Sequence, residues 1–389
     1  MFKIDQVRAA IEKNREEMLE KWIALIEKCG AAEELARMDD TAGYIKRLFE
    51  EEGFTCILKE TGKNCPKAVI GTRNYNEENP PVIFSGHYDT VFHSTEWNTA
   101  EIIEQNKLHG PGALDMKGGI IVALFTSRVL REMKCQIPIK VVFVGDEEIG
   151  HAGSIAAQLL KEEAKGARCA FNMETGFRNN DVCIGRKGTA IANIEIRGKS
   201  SHPGNAFEDG INAIEEGSKK IIEIQKLTNL SEGMSASVDT INGGTASNVI
   251  PDTCRIQVDL RFSTVEQFEM LQERIRSICQ EKKVLGTYAK VEFAEAIMPF
   301  VYTQNVQALF EAVQKAATAC GQRCPNGLIR GGASDAAYIQ MAEIPVVCAM
   351  GVSGEHSHSK QEFAIIKSLE ERTELLATLL GSLNTFLKE

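Results

Sequence analysis

Two stretches of this chain place hard or borderline metal ligands just after apolar or β-prone segments. They are Ser85-Gly86-His87-Tyr88-Asp89-Thr90 and Gly110-Pro111-Gly112-Ala113-Leu114-Asp115-Met116-Lys117-Gly118-Gly119. Downstream come Gly145-Asp146-Glu147-Glu148, then Met173-Glu174, then His356-Ser357-His358. Imidazoles and carboxylates at successive strand ends are what a two-metal hydrolytic centre needs. One histidine and one carboxylate for each ion, plus a carboxylate shared between them, would hold a zinc pair roughly 3.5–4 Å apart.

Each signal taken alone has a plainer reading. His87-x-Asp89 puts two side chains on the same side of an extended segment, so one can ligate while the other orients it; a satisfied histidine at a strand end gives the same pattern. Asp115, just ahead of a helix-forming run, equally reads as an N-cap. Glu147 and Glu148 repel each other unless a proton or cation intervenes. With a metal present one can ligate and the other act as general base, whereas an exposed acidic loop needs neither. Glu174 follows a buried-looking run, and either His356 or His358 is a ligand candidate or a surface residue. It is their occurrence together and in order that argues for one site.

The chain that must position them has 389 residues, enough for one large domain or two, and is 43% hydrophobic. A net charge of −10 and the lack of a basic stripe argue against nucleic-acid binding. The first residues are charged and helix-like, without the apolar run of a secretory signal, and no stretch approaches ~18 apolar residues, so no membrane span is expected. The 11 cysteines form no regular framework, and reduced, buried thiols in a cytoplasmic protein are the expectation.

The patterning predicts helices at 4–29, 40–52, 118–133 and 154–165, alternating with short apolar strands at 54–60, 67–71, 81–86, 139–144 and 169–173. Unbroken apolar strands between helices describe an α/β layered domain whose strand ends face one crevice. Near residue 188 the pattern changes. Strands at 189–197, 235–241, 253–261 and 288–295 alternate apolar and polar residues and are interleaved with helices at 211–227 and 264–282. This β-α-β-β-α-β order predicts a small, mostly antiparallel sheet with two helices on one face. After 298 the α/β character returns, with a helix at 305–320, a loop at 331–335, a strand at 345–350 and a helix at 367–387. The expected division is therefore 1–187 with 299–389 as one discontinuous domain and 188–298 as an insert.

At this point the chain resembles the M20 family of zinc metallopeptidases, which includes glutamate carboxypeptidases, aminoacylases, acetylornithine and succinyl-diaminopimelate deacylases, and di- and tripeptidases. The resemblance covers essentially the whole chain. It rests on Ser85 to Thr90, Gly110 to Gly119, Gly145 to Glu148, Ser201-His202-Pro203-Gly204, Asn248-Val249-Ile250-Pro251 with Arg261, Gly331 to Ala336, and His358-Ser359 with Glu362. It implies a zinc-peptidase-like mixed-sheet catalytic domain with an inserted α+β, ferredoxin-like lid and dimerisation domain. The family pattern implies that His87 and Glu174 serve one metal and Glu148 and His358 the other, with Asp115 bridging, Asp89 orienting His87 and Glu147 as general base. His358 is preferred over His356 because the family ligand is followed by Ser and, four residues on, by Glu. His202 resembles the lid histidine that reaches the oxyanion, in many members from a partner subunit, and Asn248 and Arg261 resemble the groups that hold a substrate carboxylate.

The resemblance thus implies two zinc ions, with cobalt or manganese as substitutes. The expected substrate is a small peptide or an N-acyl amino acid, and the expected assembly a homodimer through the lid. A glutamate-carboxypeptidase-like enzyme is the first expectation and an N-acyl-amino-acid deacylase or a di- or tripeptidase the alternative. Several relatives carry Arg-Pro where this chain has Met298-Pro299, which removes a cation that could meet an acidic C-terminal residue. A non-catalytic binding protein is the remote alternative, and the presence of Glu147 with every ligand argues against it.

Overall fold

The computed structural model describes residues 3–383 apart from 77, 105 and 295; residues 384–387 of the helix predicted to 387, and the last residue of the strand predicted to 295, lie outside these. The chain folds as two units. One is Met1–Gly185 with Tyr302–Ile329 and Tyr338–Glu389, and the other is Arg186–Val301 with Arg330–Ala337. The loop 330–337, which the sequence assigns to the larger domain, belongs with the smaller unit instead.

The larger unit is built on a six-stranded mixed sheet. Its strands β1 (Thr55–Lys59), β2 (Ala68–Arg73), β3 (Val82–His87), β4 (Ile139–Val144) and β5 (Cys169–Asn172) are joined by a short edge strand, Val346–Val347, in the order β1-β2-β4-β3-β5-edge. β3 lies at the heart of the sheet, parallel to both neighbours, and all six of its residues are buried. That is why it reads as an unbroken apolar run: a parallel strand covered on both faces has no side for polar residues. The helix Gly118–Glu132 is buried from Gly118 to Leu130. A Cβ on Gly119 would stand 2.0 Å from the Met173 carbonyl oxygen, so only glycine lets this helix start against the end of β5. Most of the cysteines are buried, and burial pushes the Cys56 and Cys169 thiols up to about 12, which makes them protonated packing groups.

The smaller unit contains β6 (Gly188–Arg197), β7 (Ser235–Gly243), β8 (Thr253–Phe262) and β9 (Tyr288–Phe293), all antiparallel, in the order β7-β8-β6-β9. With helices Ala213–Gln225 and Val265–Gln280 this is the ferredoxin-like arrangement. The alternation in β6 and β8 puts Ala192, Ile194, Ile196, Ile256, Val258 and Leu260 into one core.

A charged pair lies inside this unit. Lys220 and Glu216 are 2.8 Å apart with side chains 0% and 1% exposed. Lys220 Nζ donates to the carbonyls of Ile278 and Glu281, each at 2.7 Å, which satisfies orphan groups at a helix C-terminus. Glu216 receives the backbone N–H of Lys283 at 3.0 Å and of Val284 at 2.6 Å. Lys220→Ala strands a buried carboxylate and these carbonyls, and should destabilise the unit by about 3–5 kcal/mol. Denaturant titration checks this; a loss under about 1 kcal/mol, the worth of an exposed pair, would contradict it.

Candidate metal centre

The parallel strands deliver the first ligand candidates. His87 ends β3 and lies opposite Val144, the last residue of β4, so the loop carrying Glu147 and Glu148 leaves the sheet beside it. β5 ends at Asn172, and Glu174 follows two residues later. Asp115 arrives from another direction, on the tight turn Ala113–Lys117 that precedes the helix Gly118–Glu132. A small four-stranded sheet positions this turn. Lys107–His109 pairs with Phe363–Ile365, which pairs with Gly354–Glu355, so the turn and the hairpin bearing His358 sit side by side. Glu362 locks them together: its Oε1 accepts the backbone N–H of Leu114 at 2.8 Å and of Asp115 at 3.1 Å.

His87 Nε2 lies 3.3 Å from Asp115 Oδ1 and 3.5 Å from Glu174 Oε1. His358 Nε2 lies 3.3 Å from Asp115 Oδ2 and 3.1 Å from Glu148 Oε2. Asp115 therefore turns one oxygen to each histidine. The candidate ligand atoms form two groups, His87 with Asp115 and Glu174, and Asp115 with Glu148 and His358, each within 4.8 Å. Asp89 is fully buried. Its carboxylate stands 3.2 Å from His87 Nδ1 and accepts the backbone N–H of Glu147 at 3.3 Å and of Glu148 at 3.0 Å. One carboxylate thus contacts both the imidazole and the loop of the adjacent acidic pair.

The electrostatics mark a surplus of negative charge. Burial disfavours a charge on His87, yet Asp115, Asp89 and Glu174 raise it well above the usual imidazole value. Hydrogen bonds to Asp115 and Glu148 raise His358, 55% exposed, to about 11. Burial alone would raise Asp115, but His358 and His87 hold it below the usual carboxylate range. Burial, then the charge of Asp115, pushes Glu362 up to about 8. Carboxylates that draw protons onto two imidazoles form a donor set suited to divalent cations, which take the place of those protons. The mix of imidazole and carboxylate fits zinc, and cobalt or manganese as well.

His356 belongs to neither group; its Nε2 is 3.9 Å from Glu355 and its ring packs edge-on to Phe363. In the smaller unit, His202 is exposed and its Nδ1 accepts the backbone N–H of Gly204 at 3.1 Å and of Asn205 at 3.2 Å. Those donors put the ring proton on Nε2, leaving an outward donor. Asn248 is exposed on the loop before Ile250. Arg261 forms a two-pronged pair with Asp259, at 2.8 and 2.9 Å. Sequence reading enlists Glu362 only as a marker of His358, and gives no role to Lys117. Lys117 is fully buried, its Nζ has no hydrogen-bond partner among the described residues, and burial lowers it. Its place in Asp115-Met116-Lys117 was the available signal.

Residues 83–382 match the family model described as Peptidase family M20/M25/M40. The chain belongs to peptidase family M20. It is accordingly an M20-type metallopeptidase or amidohydrolase. Carboxypeptidase G2 of Pseudomonas sp. (strain RS-16) is 27% identical, over 94% of this chain and 88% of that protein. Succinyl-diaminopimelate desuccinylase of Halorhodospira halophila is 27% identical, over 75% of this chain and 80% of its own length. The crystal structure of aminopeptidase PepT from Bacillus cereus superposes with a TM-score of 0.83 at 22% identity, covering 95% of the M20 chain and 99% of PepT; at that identity it speaks for the fold alone. No helix among the described residues is long and apolar enough to cross a membrane.

Proposed function

We propose that this M20 enzyme is a dinuclear zinc hydrolase that cleaves the amide or peptide bond of a small carboxylate-bearing substrate, as a carboxypeptidase of the glutamate carboxypeptidase type. The observation that carries the reading is Asp115, whose two oxygens face His87 and His358 at 3.3 Å each. In this reading His87 and Glu174 would hold one ion and Glu148 and His358 the other, with Asp115 common to both groups. When bound, the metal pair supplies an acidified water and polarises the scissile carbonyl. Glu147 stands outside both ligand groups and acts as general base, taking the water's proton and returning it to the leaving amine. Asp89 keeps His87 in the tautomer that presents Nε2. The Nε2–H of His202 is in the form that donates to an oxyanion, contributed across a homodimer formed through the smaller unit. Arg261, one edge of whose guanidinium is held by Asp259, offers its remaining N–H groups to the substrate carboxylate together with Asn248. The buried thiols accord with a cytoplasmic protein.

The second reading is an N-acyl-amino-acid deacylase. It is favoured by the desuccinylase among the relatives and by Met298, which supplies no cation for an acidic C-terminal residue. The test is amino-acid release from two panels, free di- and tripeptides and N-acyl amino acids, with zinc or cobalt and with a chelator control. Chelator-sensitive cleavage of the peptides is expected. Cleavage of the acylated panel alone moves the enzyme to the second reading, and cleavage of neither, with two metals bound, rejects both.

A further inference from the structure

Glu147 and Glu148 are neighbours of the same type, and nothing in their chemistry says which should ligate and which should stay clear as base. Only the path of the backbone can decide. That path is a turn from Asp146 to His151 whose ends are tied twice. The backbone N–H of His151 donates to the Asp146 carbonyl at 2.9 Å, and its Nδ1 lies 2.8 Å from Asp146 Oδ1. Both side chains are buried, at 4% and 1% exposure. Within the turn, Gly150 N–H donates to the Glu147 carbonyl at 2.8 Å. Tyr338 packs edge-on to the His151 ring, with centroids 5.5 Å apart.

His151 also has φ +58°, a left-handed conformation that a β-carbon disfavours and that Gly, Asn, Asp and His adopt more readily than other residues. Its ring is buried on the Asp146 carboxylate, so the side chain closes the turn as well as filling it. Asp89 pins the turn from the other side through the amides of Glu147 and Glu148.

We propose that Asp146 and His151 are a positioning pair that sets the turn so that Glu148 reaches the ligand group and Glu147 does not. The inference rests on the roles given above to Glu147 and Glu148. Neither Asp146 nor His151 touches substrate or metal in this account. Once the clamp is released, the two carboxylates compete for the same position and the base is lost for part of the time.

The test compares His151→Asn with His151→Gln, both polar, and adds Asp146→Ala. The last removes the clamp without touching the left-handed position, which Asn tolerates better than Gln. It should behave as Gln does, and an Asp146→Ala enzyme with natural kcat and spectrum would overturn the proposal. Asn sets its amide N–H where Nδ1 stands and can rebuild the bond to Asp146; Gln sets it where Nε2 stands and cannot. In the zinc enzyme, Asn should hold kcat within about threefold of the natural protein, while Gln lowers it about 10–100-fold with KM unchanged and both metals bound, the scale of losing a group that orients a ligand. In the cobalt-loaded protein, the visible spectrum should change for Gln and not for Asn. Equal kcat and equal spectra for the two variants would overturn the proposal. The spectrum also separates it from the underlying reading: a natural enzyme unaffected by Glu147→Gln would sink the assignment of the base, while the Asn–Gln contrast in the cobalt spectrum would still report on the clamp.

Discussion

Glu147→Gln should lower kcat by about three to four orders of magnitude while two metal equivalents stay bound, the upper end of what general acid–base catalysis contributes. The upper end is expected because one carboxylate serves twice, first as base toward the attacking water and then as acid toward the leaving amine. Gln preserves the size and shape of the side chain but cannot accept the proton. The geometry makes the effect separable from metal loss. Glu147 belongs to neither ligand group, and its backbone N–H is held by Asp89 whatever its side chain carries. The measurement is kcat at saturating substrate together with metal content after gel filtration. A kcat within tenfold of the natural enzyme would move the base elsewhere. Glu148→Gln serves as the contrast, since it strikes His358's partner at 3.1 Å and should lower metal content as well.

The parts of this site that were legible in the sequence are those set by long-range regularities. β3, β4 and β5 are buried strands, and buried parallel strands advertise themselves as apolar runs; the candidates His87, Glu147, Glu148 and Glu174 stand at or just beyond their ends. The inserted unit was legible for the opposite reason. β6 and β8 have one buried face, so their residues alternate. What was not legible is carried by elements too short to have a period. The small sheet that sets Asp115 beside His358 has strands of two or three residues, and the patterning assigns no element to those stretches. The strand expected at 345–350 runs along β5 only at Val346–Val347; Cys348 bridges to Cys183 instead, and Ala349 then takes φ +64°. The helix expected from residue 40 starts at Leu35; Asp39 and Asp40 look like start signals but lie inside it. The clamp between Asp146 and His151 and the pairing of Arg261 with Asp259 are local side-chain choices, and no spacing rule announces them.

The choice between His356 and His358 shows where those limits meet. Both stand on one short hairpin, both have positive φ, 66° and 62°, and residue type cannot rank them. Their positions part at the register Phe363↔His109. It fixes Glu362 against the backbone of Leu114 and Asp115, and only His358 then meets Asp115 and Glu148.

Asp115→Asn should have the opposite signature to Glu147→Gln: the metals are lost and turnover goes with them. The two oxygens of Asp115 are equivalent acceptors, one for each histidine's neighbourhood. An amide keeps one acceptor and turns the other into a donor that no cation can use. Whichever way the amide sits, one ligand group loses its common member and the other keeps a weaker, neutral one. Losing a residue that only orients a ligand weakens metal binding about 10–100-fold; losing the ligand shared by both ions should exceed that at both positions. The backbone gives little cause for a folding defect, because Glu362 binds the N–H groups of Leu114 and Asp115 and not the substituted carboxylate. The expected result is at most one metal equivalent after gel filtration, activity at background, and a native circular dichroism spectrum. A protein that still holds two equivalents and turns over within tenfold of the natural enzyme would show that the two histidine groups are independent, and the shared-ligand reading would fall with it.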